Sequence, residues 1–371
     1  MLTLKKEVSI FLFDLNIGGT EKVMVNLANY LSKNSCNVNI LLVGKNKYLQ
    51  RELLPNVSVK AFNKRRIHLS LIDLIKYIRT QKIDCFISNV WPLTILTVLA
   101  GFFKKSFNKK KVVLVEHCHL EREFSSYGAQ FKFFQKVSIF LFYRFASKVV
   151  AVSEGVKEDL CSNKGVNIKS VCVIYNPVNL NFSRANYKNI DIEKWRLSSD
   201  AKFISVGNLK IQKNYSYLID SLSILKNKGF AFKHLILGEG SQREALTKKI
   251  QTLNLEEDIF LVGSVDQPIN LIKEADTFVL SSQFEGFGLV IVEALAAGVT
   301  VVSTDCQSGP AEILGNGLYG YLGPTNDSKK FSEVINFGYL NKIPSVKLVE
   351  RSKDYSIEKL GPKYLKLINE I

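Results

Sequence analysis

Residues 281–299 read SSQFEGFGLVIVEALAAGV. They overlap TFVLSS (277–282), an apolar run of strand length, and turn through QFEGFG into a helical pattern reaching Ala297, with Gly298 placed to stop it. Strand, glycine-bearing loop and helix in that order form the unit of a parallel α/β sheet. Two carboxylates mark the stretch. Glu285 sits in the loop beside Gly286 and Gly288; Glu293 follows eight positions later inside an apolar run. A charge among apolar residues is costly unless something pairs with it. A carboxylate can take two hydroxyl hydrogen bonds at once, which suits a ribose diol or a hexose.

The same unit recurs along the chain. In the first half, strand candidates fall at 8–13, 38–44, 84–89, 111–117 and 148–153. Helical patterns run from Glu21 to Leu31, with Val23, Leu27 and Leu31 on one face, and over 71–80. The series restarts with strand candidates at 202–207, 234–240, 259–265, 277–282 and 299–304, and a helix from Tyr215 to Leu225. VIYNPVNLNFS (173–183) lies between the halves, and Pro177 disfavours helix at Asn176. The spacing predicts an α/β chain of two Rossmann-like domains, each a parallel sheet, facing one another across a cleft. The predicted domains are 1–175, a hinge over 176–200, 201–351, and a C-terminal helical segment, 352–371, packing back on the first domain.

A chain of 371 residues fits two domains of ordinary size, and 46% hydrophobic content excludes a disordered chain. The net charge of +16 is uneven: 1–180 carry 27 Lys+Arg against 12 Asp+Glu, and the remainder 23 against 22. The basic half suits an anionic partner: nucleic acid, anionic lipid or a phosphorylated substrate. No recognised nucleic-acid motif accompanies that charge, so no nucleic-acid partner is expected. Six dispersed cysteines without a C-x-x-C pair read as free thiols in a reducing compartment. The opening MLTLKKEVSIFLFDLN resembles a signal peptide until Asp14 ends the apolar run without a small-residue cleavage site. The longest apolar runs fall short of a membrane span.

Three further constellations could carry chemistry. Asn-Ile-Gly-Gly-Thr-Glu (16–21) puts Gly18 and Gly19 between strand and helix, where backbone N–H groups and the helix dipole favour a phosphate. It is neither G-x-G-x-x-G nor a Walker loop, which weighs against nicotinamide and P-loop chemistry. Glu116, His117 and His119 end an apolar strand. H-x-H on a strand would share one face, but no third ligand follows, so contact with a sugar hydroxyl or phosphate is expected before a metal. In GNLKIQKN (207–214), Lys210 and Lys213 are point charges suited to a diphosphate.

Taken together, these motifs resemble the retaining nucleotide-sugar glycosyltransferases of family 4, with the GT-B fold. The resemblance rests on N-x-G-G-x-E at 16–21, S-E-G at 153–155, Asn176-Pro177, G-N-L with K-N at 207–214, and G-E-G at 238–240. It also rests on E-G-F-G at 285–288, E-A-L-A-x-G at 293–298, and S-G-P-A-E-I-L at 308–314. The resemblance implies that Glu293 bonds the donor ribose and that Glu285 lies beside the donor sugar. It implies that the backbone of Gly286, Phe287, Gly288 and Leu289 holds sugar and phosphates, with Gly207 and Asn208 in the same donor site. Lys213 would contact the diphosphate, Gly18 and Gly19 would approach it, and His117 would lie near the reacting sugar. Many members carry arginine where this chain has Asn208, which leaves Lys213, with Lys210, to neutralise the leaving group.

The implied reaction moves a hexose or N-acetylhexosamine from a nucleoside-diphosphate sugar, UDP before GDP, to a glycan or lipid-linked glycan acceptor. It proceeds with retention, without a dedicated metal or cofactor, in surface-polysaccharide synthesis. Same-fold alternatives are a nucleotide-sugar epimerase or a soluble glycan synthase; another class is a non-catalytic basic nucleic-acid- or membrane-binding protein. WPLTILTVLAGFFKKSFNKKK (91–111) ends in five lysines. Residues 129–148 place Lys132, Lys136, Arg144 and Lys148 at multiples of four, the pattern of one basic stripe on an interfacial helix. The expected location is cytoplasmic, peripheral on the inner face of the membrane.

Overall fold

The computed structural model describes residues 5–104, 111–182 and 185–371. Lys105, Lys109 and Lys110 of the predicted basic run lie outside the described residues. The chain divides into two units, Met1–Val178 with Ser356–Ile371, and Asn179–Tyr355.

In the first unit the described strands are β1 (Lys6–Leu12), β2 (Cys36–Leu42), β3 (Ser58–Ala61), β4 (Cys85–Asn89), β5 (Val112–Glu116), β6 (Lys148–Ala151) and β7 (Val171–Val173). They form one sheet in the order β3-β2-β1-β4-β5-β6-β7, every pairing parallel. β4 and β5 are buried along their whole length, as strands covered on both faces must be. The second unit holds β8 (Ala201–Val206), β9 (Phe232–Leu237), β10 (Ile259–Gly263), β11 (Thr277–Leu280), β12 (Thr300–Thr304) and β13 (Tyr321–Gly323), in the order β10-β9-β8-β11-β12-β13, again all parallel. Phe203, Ile236, Val279 and Val302 from its strands pack with Leu218, Leu222 and Phe331 from its helices.

Both sheets reverse their winding once, between β1 and β4 and between β8 and β11. Open α/β sheets bind ligands at the carboxyl ends of the strands at such a reversal.

Two details differ from the sequence reading, at the hinge and at the helix over 129–148. The hinge segment carries a helix, Ile190–Leu197, whose Trp195 is fully buried and donates from Nε1 to Phe203 O at 3.2 Å, so residues 179–200 are counted with the second unit. The helix Ile357–Glu370 belongs to the first unit: Lys6 Nζ donates to Ile368 O at 2.7 Å, and Gly361 lies so close to the Tyr30 ring that a Cβ would stand 2.7 Å from it. The helix over 129–148 stops at Phe142, and Lys148 opens β6. Only Lys132 and Lys136 lie on the helix; Arg144 sits in the following 3₁₀ turn.

Candidate active site

In the second unit the reversal joins the loop after β8 to the loop after β11. Backbone and side chains sew them together. Gln283 N donates to Gln212 O at 2.9 Å, Gln212 Nε2 to Phe284 O at 3.0 Å, and Ser281 Oγ to Lys213 O at 2.8 Å. At their meeting point Lys213 Nζ lies 2.6 Å from Glu285 Oε1, which also accepts from Ser282 Oγ at 2.6 Å. The side chains are 15% and 7% exposed, so the pair is largely shielded from solvent.

Gly207 leaves room for the lysine stem, because a Cβ there would meet Lys213 Cε at 3.0 Å. Asn208 is exposed on the same turn. Beyond Glu285 the chain passes through buried Gly286 and Phe287 to Gly288, whose φ of 96° is open to glycine. Gly288 caps the helix Leu289–Ala296 at its N-terminus. That helix ends at Ala297 in a Schellman arrangement: Gly298 N donates to Leu295 O and Val299 N to Ala294 O. The loop after β12 closes on the same place. Glu285 N donates to Gln307 O at 3.2 Å, and a Cβ on Gly309 would overlap the Phe287 carbonyl.

Glu293 occupies the middle of the helix Leu289–Ala296, flanked by buried Val292 and Ala294. It is half-buried itself, so its carboxylate keeps partial access to water. The sequence reading of a charge sunk among apolar residues overstated its burial. The apolar neighbours turn to the core while position 293 lies at the helix margin.

In the first unit, Gly18 caps the helix Gly19–Lys33 after β1, and any side chain at 18 would run into the Glu21 carboxylate. His117 follows β5 and is buried. Between β1 and β5 lies β4, whose last residue, Asn89, reaches both. Its Nδ2 donates to Phe11 O at 3.3 Å, which turns Oδ1 toward His117 Nε2 at 3.0 Å. Oδ1 can only accept, so Nε2 carries the proton and Nδ1 is left as the acceptor. Nδ1 and the neighbouring Asn176 Oδ1 are both buried and short of a well-formed hydrogen bond. Burial lowers the His117 pKa to about 4, with Asn176 opposing, so the imidazole is neutral near pH 7.

The other members of the E-H-C-H run separate. β5 ends at Glu116, so the two imidazoles do not share a strand face. His119 Nδ1 faces Asp159 Oδ2 at 3.6 Å, away from the Asn89 partner of His117. Glu116 is fully buried, accepting from Tyr143 OH and from Trp91 N at 3.3 Å. Burial raises its pKa to about 7 against those two hydrogen bonds. It is an internal anchor with no access to a substrate. Sequence reading missed Asn89 and Ser282; each sits at a strand end that the topology turns toward a named site residue, and no motif marks either. Val90, next to Asn89, adopts φ 61°, uncommon for a β-branched residue and a mark of local strain.

Comparison with known proteins adds independent findings. Residues 17–182 match the profile of Glycosyltransferase Family 4, and residues 188–355 that of Glycosyl transferases group 1. Among curated relatives, a Campylobacter jejuni enzyme is 27% identical over 343 residues, 85% of this chain and 86% of that one. It is named N-acetylgalactosamine-N,N'-diacetylbacillosaminyl-diphospho-undecaprenol 4-alpha-N-acetylgalactosaminyltransferase. The amylovoran biosynthesis glycosyltransferase AmsD of Erwinia amylovora is 25% identical over 367 residues, 95% and 97% of the two chains. Among solved structures, Anabaena HepE in complex with UDP and glucose superposes with a TM-score of 0.80 at 18% identity, covering 99% of this chain and 100% of that one. Two parallel sheets, the loops joined at Lys213 and Glu285, and these matches across both units have one reading: the chain belongs to the family 4 (group 1) glycosyltransferases and has the GT-B fold.

Proposed function

We propose that this glycosyltransferase moves a hexose or N-acetylhexosamine from a UDP-sugar to a glycan or lipid-linked glycan of a bacterial surface polysaccharide, with retention at the anomeric carbon. The observation that carries the donor assignment is the Lys213–Glu285 pair, 2.6 Å apart at the sheet reversal beside a helix N-terminus. An ammonium and a carboxylate side by side suit a ligand with adjoining phosphate and polyol groups. The names of the relatives support the rest: one includes an undecaprenol-linked acceptor, and a protein of like fold was crystallised with UDP and glucose.

In this reading Lys213 takes the β-phosphate, with Lys210 near the diphosphate. Glu285 accepts from donor-sugar hydroxyls, and Gly286, Phe287, Gly288 and Leu289 present backbone to sugar and phosphate. Glu293 bonds the ribose. In the first unit, Gly18 and Gly19 admit an anion, and His117 lies near the reacting sugar. As the bond from C1 to the β-phosphate oxygen breaks, the leaving oxygen gains charge that Lys213 offsets. The acceptor oxygen bonds C1 on the same face, and its proton passes to the leaving phosphate oxygen. Glu285 is already engaged by Lys213 and Ser282, which suits orientation better than nucleophilic attack. The basic first half supports a peripheral position on an anionic inner membrane surface. No helix of the described residues is long and apolar enough to cross a membrane.

A thermal-shift panel of UDP, GDP, ADP and NAD tests the donor. A ligand that binds only the folded state raises its melting temperature. The expected result is a shift with UDP alone, lost in Glu293→Ala while that variant melts as the parent does. A shift with GDP alone would replace the donor, and a full UDP shift in Glu293→Ala would remove Glu293 from the site.

A further inference from the structure

The helix Ala129–Phe142 has inverted polarity. Its inward face buries the amide of Gln135 and the hydroxyl of Ser138. Its outward face carries Phe133 at 70% exposure, Phe134 at 63%, Phe140 at 55% and Leu141 at 40%. Positions 133, 134, 137, 140 and 141 share one side at the helical period, and 131, 135, 138 and 142 share the other. The patch extends past the helix: exposed Phe145 packs edge-to-face on exposed Phe102, ring centroids 5.1 Å apart. An isolated exposed phenylalanine needs no explanation, but a contiguous row marks a binding surface.

The helix cannot roll this face inward without breaking buried bonds. Trp91 Nε1 donates to Ser138 Oγ at 3.1 Å, Phe131 packs on the Trp91 ring, and Tyr143 just beyond the helix is bonded to Glu116. Charge identifies the occupant. Lys132 and Lys136 flank the phenylalanines, and the Arg144 guanidinium lies over the Phe140 and Phe145 rings at 5.6 and 5.9 Å. The helix contains no acidic residue. A second copy docking on the same face would bring cations against cations; an anionic bilayer interface satisfies both the rings and the charges.

We propose that the outward face of Ala129–Phe142, with Phe102 and Phe145, is a lipid-docking surface. Its phenylalanines enter the acyl boundary of an anionic leaflet while Lys132, Lys136 and Arg144 meet the headgroups. This deepens, and rests on, the reading of a lipid-linked acceptor; it replaces the expected four-residue basic stripe with an aromatic face rimmed by cations.

Flotation of the full chain with phosphatidylcholine vesicles, with and without phosphatidylglycerol, tests it. Wild type is expected to float with the anionic vesicles. Phe133→Gln/Phe140→Gln is expected to lower that partitioning by at least about tenfold, since burial of even one such ring is worth that factor. Both proteins should melt alike and keep the same UDP shift. Equal flotation of parent and double variant, or no flotation of wild type, would overturn the proposal. A dimer in sedimentation that the double variant abolishes, without flotation, would reassign the face to self-association. An absent UDP shift in a protein that still floats would instead overturn the donor reading alone.

Discussion

Lys213 and Glu285 lie 72 positions apart in sequence yet form one ion pair. Their separate roles can be told apart because UDP offers phosphates without a donor sugar. Lys213→Met should lose the UDP-induced melting shift. Glu285→Gln should keep it but lose the additional affinity of a UDP-sugar, with turnover falling by roughly a hundredfold or more, the scale of losing one transition-state contact. Equal UDP affinity in parent and Lys213→Met, measured calorimetrically, would refute the assignment to the diphosphate. Motifs made both residues legible in sequence, but not their pairing. That depends on β8 lying beside β11, a long-range choice that local pattern does not encode. Glu116 supplies a pH prediction. Its folded pKa, about 7, stands above the ordinary 4.5, chiefly through burial, with Asp159 adding. A raised acid favours folding fully below its unfolded pKa, and that contribution is lost as pH rises through the folded value. Glu116→Gln removes this slope. Relative to wild type, the variant should gain up to roughly 3 kcal/mol between about pH 4.5 and pH 8, read from denaturant midpoints at each pH. His117 works in the opposite sense. Its depressed pKa gives stability present above about 6.5 and lost as pH falls toward 4, so the comparison must be variant against parent at each pH.

At the scale of elements, long buried strands were read from apolar runs, whereas β3, β7 and β13 were missed. Each has only three or four residues and lies at a sheet edge, where part of the strand faces water and the apolar run breaks up. The helix Ala129–Phe142 was read six residues too long because basic residues at multiples of four, Arg144 and Lys148, continue past it. The chain instead turns at Tyr143, drawn inward by Glu116, and enters β6. Loop packing around the proposed donor site makes a contrast between two glycines. Gly229 and Gly309 both have positive φ, 81° and 92°, but a Cβ at 229 meets nothing within 4 Å, whereas one at 309 overlaps the Phe287 carbonyl. Gly229→Ala should cost about 1 kcal/mol, the strain of the left-handed backbone alone. Gly309→Ala should cost several times as much and weaken UDP binding, because Phe287 can yield only by moving the loop that holds Glu285. Similar melting temperatures for the two variants would show that the S-G-P loop does not brace this site.

Across the whole molecule, charge and ligand chemistry are divided. Residues 1–180 carry a surplus of fifteen positive charges, 27 − 12, and 181–371 a surplus of one, 23 − 22. The Lys213–Glu285 pair, the proposed donor contact, sits in the nearly neutral part, and its cation is largely shielded from solvent. The cations proposed to meet lipid are on the surface of the basic part. These two settings respond differently to salt. The screening length falls from about 10 Å at 0.1 M to about 3 Å at 1 M, and exposed charges lose most of their mutual attraction while shielded pairs lose little. Vesicle association should therefore weaken by tenfold or more over that range, leaving a residue due to the phenylalanines, which salt does not screen. UDP affinity should change by only a few fold. The two titrations, run on one preparation, separate the surfaces. If both affinities fell in parallel, the donor diphosphate would be held by exposed charge rather than by the Lys213–Glu285 pocket. If neither fell, the lipid face would be purely apolar and its cationic rim without a role.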